Sequence, residues 1–205
     1  MCLAVMELPN SSKIKNLQSL KGKDIDSTKL SSSEDINAFL YKLLPENVFL
    51  GSSARNTIPI SHFFENEYSI LIVNLDKQSE PGSHFLVIIK YKNELFLFDS
   101  FGLNFHYQII EPYLEKKVKQ LGMKVWKNTK QFQSDKSNVC GFFCVWFSLF
   151  FDIHRPQISN IDILLKHFVN PTKSYANERK ILSNLYNFLD HYILCKKQEL
   201  LTCLC

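Results

Sequence analysis

Residues 84–99 read HFLVIIKYKNELFLFD: two apolar runs, 84–91 and 94–99, separated by Lys92-Asn93. The turn residues Glu80-Pro-Gly-Ser83 introduce the first run. Both runs have strand composition, and a two-residue connection between them is a hairpin signal. Such a turn sets the register. Tyr91 faces Glu94, paired positions sum to 185, and Asp99 lies opposite Leu86. His84 is two residues from Leu86 and points to the same face. His84 and Asp99 therefore stand on a diagonal about 7 to 8 Å apart at the backbone, within reach of two side chains. Any even-length turn keeps that parity.

Working outward, residues 68–75 (YSILIVNL) form a further strand. Before it, Ser31 with Glu34 makes a candidate capping box, followed by Ile36, Phe39, Leu40 and Leu43 at helical spacing until Pro45. Beyond Ser100-Phe-Gly102 the pattern turns helical over 106–121, with Ile109, Ile110, Tyr113, Leu114 and Val118 as the apolar stripe. A short strand at 123–126 and a polar loop at 127–139 lead into CGFFCVWFSLFF, residues 140–151. This run is well short of the roughly 20 apolar residues a membrane span needs, so it reads as a buried core helix. Helices are expected at 160–168 and 178–194, on either side of Pro171. No internal repeat is visible. The order helix, strands, helix, strand, helices indicates an α+β domain.

The 205 residues, 45% hydrophobic and 13% aromatic, are sufficient for one sizeable core and exclude a disordered chain, a collagen or a coiled coil. Residues 9–33 are rich in Ser, Lys and Asn, which divides the chain into a flexible leader, 1–33, and a domain, 34–205. The formal net charge is +4, and Arg55, Arg155 and Arg179 are the only arginines. A surplus that small suggests at most one local basic face. Lys116, Lys117, Lys119, Lys124, Lys127, Lys130 and Lys136 stand against only Asp135, marking one candidate face for phosphates; the alternative is a solvated lysine surface.

The six cysteines are even in number but cluster late, with none between Cys2 and Cys140, which is a poor disulfide framework. The N-terminus lacks a basic n-region, so secretion is not indicated and a reducing compartment is expected. The tail Cys203-Leu-Cys205 lacks the cysteine that a prenylation box would need at Thr202. Without a C-x-x-C pair, no metal is expected, and no cofactor.

Cys140 opens a helix, where exposed N–H groups and the positive end of the macrodipole favour a thiolate. The alternative is that Cys140 and Cys144 are two small buried hydrophobes on one helical face. A nucleophilic cysteine needs a base, and of the histidines at 62, 84, 106, 154, 167 and 191 the hairpin geometry favours His84. Asp99 would then hold the imidazole's tautomer, the third-group role of a triad. Gln131 and Gln133 in the preceding loop are both candidate amide donors to an oxyanion.

Taken together, His84-Phe-Leu-Val-Ile, Phe96-Leu-Phe-Asp99-Ser-Phe-Gly102 and Gln133-Ser-Asp-Lys-Ser-Asn-Val-Cys140-Gly-Phe-Phe-Cys144 resemble the adenovirus cysteine protease family (adenain), with its relatives in large DNA transposons and other DNA viruses. That family has the chain order His, acid, Gln, Cys and places its oxyanion glutamine seven residues before the nucleophile, which selects Gln133 over Gln131. The resemblance covers roughly residues 34–192. It implies a small mixed sheet packed against a central Cys-bearing helix and flanking helices. It also implies a catalytic set of His84, Asp99, Gln133 and Cys140, and cleavage of viral or mobile-element precursor proteins next to glycine. Further implications are an intracellular, soluble monomer, in the host nucleus or cytoplasm or packaged in virions, with non-specific DNA and a peptide activator as candidate partners. No cysteine lies between Asp99 and Gln133, so the activator would bind non-covalently. The SUMO-specific proteases share the chain order and an Asp-Ser pair like Asp99-Ser100, which keeps deconjugation of ubiquitin-like proteins as the alternative. The same residues also suit a transferase of that clan, or a protease-like binding module without turnover.

Overall fold

The structure is a computed structural model. It describes residues 30–102, 104–134, 136–154, 186–188, 190–194 and 198, with backbone only at 104–106. Residues 1–29 of the expected leader, the helix expected at 160–168, residues 178–185 of the last helix and the Cys203 and Cys205 tail lie outside the described residues. The elements run α1 (Ser33–Leu43), β1 (Phe49–Ala54), α2 (Ile60–Glu65), β2 (Tyr68–Asn74), β3 (Phe85–Tyr91), β4 (Glu94–Phe98), α3 (Asn104–Gln120), β5 (Lys124–Lys127) and α4 (Cys140–His154). Residues 186–188 and 190–194 are also helical.

The strands form one mixed sheet in chain order β1-β2-β3-β4-β5. β2, β3 and β4 make an antiparallel meander, flanked by parallel β1 and β5. The β3–β4 register pairs Tyr91 with Glu94 and Val87 with Phe98, as the two-residue turn requires. Lys92 takes a left-handed φ of 54° to make that turn, a conformation the tight connection imposes at the expense of local strain. Parallel neighbours need a crossover, and α2 and α3 supply the two.

Both faces of the sheet are covered. Ile70, Ile72, Val87, Ile89, Phe96 and Phe98 share one core with α1 and α4. Leu71, Val73, Leu86, Ile88, Leu95 and Leu97 share the other with Phe63 and Phe64 of α2 and Ile110, Leu114 and Val118 of α3. Burial on both sides is why the central strands read as unbroken apolar runs rather than alternating ones. The structure is thus an α+β fold, a five-stranded mixed sheet with helices packed on it.

Residues 140–151 of α4 are all buried, as a helix apolar all round must be. Phe147 stacks on Phe98 of β4 with ring centroids 4.3 Å apart. The single hydroxyl in the run, Ser148, donates to the Cys144 carbonyl at 2.8 Å. Asp152, where the apolar run ends, accepts from Tyr68 at 3.3 Å and Tyr192 at 3.1 Å, tying the helix to β2 and to residues 190–194. No helix among the described residues is long and apolar enough to cross a membrane.

Three local expectations change. The cap of α1 is Ser32, not Ser31: its Oγ accepts from the Asp35 N–H at 3.1 Å and donates to Asp35 Oδ2 at 2.7 Å, so the cap pairs with Asp35 rather than Glu34. β1 and α2 are additional elements, hidden in the sequence because FLGSSA and ISHFFE are short and carry neither clear period. Leu30, assigned to the leader, is 5% exposed and belongs to the core shared by α1 and α4. Its carbonyl oxygen lies 1.9 Å from where a β-carbon on Gly141 would stand. Alanine at a helical glycine ordinarily gains up to about 1 kcal/mol. In Gly141→Ala the overlap with a backbone oxygen outweighs this, and a net loss of about 1–3 kcal/mol is expected, read as a lowered midpoint in denaturant unfolding.

Candidate active site

The hairpin ends where the chemistry-bearing residues begin. His84 continues the β2–β3 ladder one residue past β3, its carbonyl accepting from Leu75 N–H at 2.9 Å. Asp99 follows the last residue of β4, and Asn128 grips its peptide from both sides. Asn128 Oδ1 accepts from Asp99 N–H at 2.8 Å, and Nδ2 donates to the Asp99 carbonyl at 2.7 Å. With both backbones held, His84 Nε2 meets Asp99 Oδ1 at 2.8 Å, and the Phe101 N–H also donates to that oxygen at 2.9 Å. The Phe101 ring stacks on the imidazole, centroids 4.5 Å apart and planes at 27°.

Cys140 is the first residue of α4 and is 7% exposed. A side-chain hydrogen bond joins it to His84. Since Nε2 faces Asp99, Nδ1 is the ring nitrogen left for the thiol. Burial raises the Cys140 pKa, but the bond to His84, its charge and the backbone N–H groups of Phe85 and Gly141 outweigh that and leave it below the ordinary thiol value. Burial likewise opposes charge on His84, yet Asp99 and Cys140 together raise it to about 9. The two groups thus favour each other's charged form, thiolate beside imidazolium. Cys144, one turn deeper, has no such donors, and burial pushes its thiol well above the ordinary value. Both cysteines are buried, and their surroundings shift the two thiols in opposite directions.

Gln133 is 1% exposed. Its Oε1 accepts from Ser100 Oγ at 2.6 Å and its Nε2 donates to the Ser137 carbonyl at 2.8 Å, on the segment leading into Cys140. Gln131, the other candidate, has its amide engaged elsewhere, Nε2 donating to the Gln133 carbonyl at 2.9 Å. His84, Asp99 and Cys140 are thus brought together, with Gln133 hydrogen-bonded to the residue after Asp99 and to the approach to Cys140.

The lysines do not gather in the same way. Lys116, Lys117 and Lys119 lie in the last turns of α3, and Lys119 pairs with Glu115. Lys124 and Lys127 sit at the two ends of edge strand β5 and turn to opposite faces. Lys124 lies over the Trp126 ring at 3.9 Å and Lys127 over Tyr107 at 4.3 Å. Lys130 and Lys136 are in the following loop.

Several contributors carry no sequence signal. Asn128 is one polar residue in a polar loop, the Phe85 amide is backbone, and the place of Phe101 follows only from the turn after Asp99. Gly102 has a constraint of its own. Its φ is 64°, and a β-carbon there would stand 2.4 Å from the Lys130 carbonyl oxygen, so glycine lets this turn approach the loop before Cys140. Among the described residues no three His, Cys, Asp or Glu side chains gather closely enough to hold a metal ion. No protein-family model matches the chain, and a search of curated proteins returns no significant match.

The ion pair requires pH above the lowered pKa of Cys140 and below about 9 for His84. Iodoacetamide should modify Cys140 at a lower pH than it modifies an ordinary thiol, because the Cys140 pKa is lowered. Cys144 should stay unmodified until the chain unfolds. In His84→Ala the burial remains while the cation is gone, so the Cys140 rate should be restored only as pH rises past the ordinary thiol range. Mass spectrometry of each cysteine against pH checks all three outcomes.

Proposed function

We propose that the chain is a cysteine endopeptidase of the adenain type, acting on precursor proteins of a virus or mobile element next to glycine. The observation that carries the reading is the buried Cys140–His84–Asp99 arrangement at a helix N-terminus, with His84 Nε2 2.8 Å from Asp99 Oδ1. The chain order of the four residues and the spacing from Gln133 to Cys140 support the family.

The Cys140 thiolate attacks the scissile carbonyl carbon, and the carbonyl π-electrons move onto oxygen. Gln133 Nε2 and backbone N–H groups at the start of α4 stabilise that oxyanion. As it collapses the C–N bond breaks, and the imidazolium of His84 gives its Nδ1 proton to the departing amine. Water then attacks the thioester while His84 takes its proton, releasing the carboxylic acid and restoring the thiolate. Asp99 keeps Nε2–H directed at itself throughout, so that Nδ1 faces the reaction. A proton poised on His84 before substrate arrives means the first step needs no base, only an acid for the leaving group.

A Gly-containing peptide of the viral-precursor type, compared with SUMO and ubiquitin precursors, separates the endopeptidase from the deconjugating alternative. Cys140→Ala should abolish turnover. Asp99→Asn should lower kcat by about 10²–10⁴ through the wrong tautomer. Gln133→Ala should lower it by about 10²–10³. A wild-type chain that binds these substrates but never cleaves them is a binding module instead.

The same reading carries non-specific DNA as a partner, through Lys116, Lys117 and Lys130. Because Lys119 is paired and Lys124 and Lys127 face opposite ways, few phosphates are met at once. A shallow salt slope, about −0.9 per phosphate contacted, is expected in fluorescence anisotropy with duplex DNA; binding independent of salt removes DNA from the proposal.

A further inference from the structure

We infer that Ser100 is a positioning residue, whose hydroxyl locks the Gln133 amide with its N–H side toward the chain entering α4 and thereby sets the rate of acyl transfer at Cys140. The inference rests on the acyl-transfer reading above and adds to it a residue outside the reacting set.

The Gln133 amide has only one orientation that satisfies its neighbours. A main-chain carbonyl can only accept, so the group 2.8 Å from the Ser137 oxygen has to be Nε2. Oε1 is then the atom 2.6 Å from Ser100 Oγ, and because it carries no hydrogen, the serine must donate its single proton. Ser100 and Gln133 are each 1% exposed, which leaves no room for solvent to take over the bond. The same serine holds the other end of the glutamine: its carbonyl accepts from Phe132 N–H at 2.7 Å and Gln133 N–H at 3.0 Å. Nε2 carries two hydrogens. One is engaged by Ser137, and the second has no partner among the described residues, as a donor kept for an oxyanion requires.

Losing the hydroxyl leaves a buried oxygen without a donor and leaves the Ser137 carbonyl alone to hold the orientation of the amide. A flipped amide would turn its oxygen, not its N–H, toward the developing negative charge. Ser100 also follows Asp99 directly in the chain. Consecutive residues at the end of β4 therefore orient the base and the oxyanion donor, and a shift of that strand end moves both.

The test compares Ser100→Ala in the wild-type and Gln133→Ala backgrounds with two reactions of Cys140. The p-nitrophenyl ester of N-acetylglycine measures acyl transfer, which forms an oxyanion; iodoacetamide measures alkylation, which does not. In Ser100→Ala, kcat for the ester should fall about 10- to 100-fold, with KM and the alkylation rate nearly unchanged. In Gln133→Ala the same substitution should change kcat less than about twofold, because the residue acts only through that amide. Ser100→Thr, which keeps the hydroxyl, should recover most of the rate. Should Ser100→Ala fail to fold, Ser100→Cys, a weak donor of similar size, carries the same expectation. An unchanged kcat overturns the inference, as does a parallel fall in alkylation or full additivity with Gln133→Ala. A wild-type chain that is alkylated normally but transfers no acyl group overturns the acyl-transfer reading and the assignment of Ser100 with it.

Discussion

A charged imidazole inside an apolar core is tolerable only while acceptors surround it, and His84 has two, Asp99 on one ring nitrogen and Cys140 on the other. Desolvation would otherwise drive the ring neutral and the thiol protonated. Much of the nearby architecture serves this balance. Asn128 fixes the peptide of Asp99, Phe101 covers one face of the ring, and the Phe85 and Gly141 amides share the charge on sulfur. Removing either partner takes away one of the two interactions that offset the burial of His84.

The hairpin and its register could be read from residues 84–99 because a two-residue turn leaves no freedom in pairing, and two faces of parity then bring His84 and Asp99 together. The core helix was evident from a run of twelve residues with no charge. What stayed hidden was of another kind. β1 and α2 are short and take their structure from the sheet they join rather than from their own composition. Asn128 and Ser100 act through hydrogen bonds between segments about 30 residues apart, and neither periodicity nor composition encodes such contacts. The choice between Gln131 and Gln133 lay between. Two amides in one loop are equivalent by composition; the spacing implied by the resemblance favours Gln133, and in the structure burial and partner geometry set the two apart.

Charge is read differently from the sequence and from the strand. Lysines dense in sequence suggested one basic face, yet a β-strand turns alternate residues to opposite sides, and Lys124 and Lys127 are separated by an odd number. Clustering along the chain becomes clustering in space on a helix face or at matching parity, and here β5 provides neither. Cys140 and Cys144 make the same point in reverse. They share a helical face, but one lies at the exposed-amide end beside an imidazole and the other a full turn inside.

The sheet runs in chain order, and this bears on how the site comes into being. His84 and Asp99 are closed by a local turn within one hairpin, whereas Cys140 arrives on a helix from the far side of α3 and β5. Local closure is entropically cheap and the distant one less so. During synthesis the His84–Asp99 pair can assemble while Cys140 is still being made, and the three residues meet only when α4 docks. In the mature protein residues 140–151 of α4 are buried throughout, so sulfur and imidazole separate only when the core beneath the sheet opens, and the site is as durable as that packing.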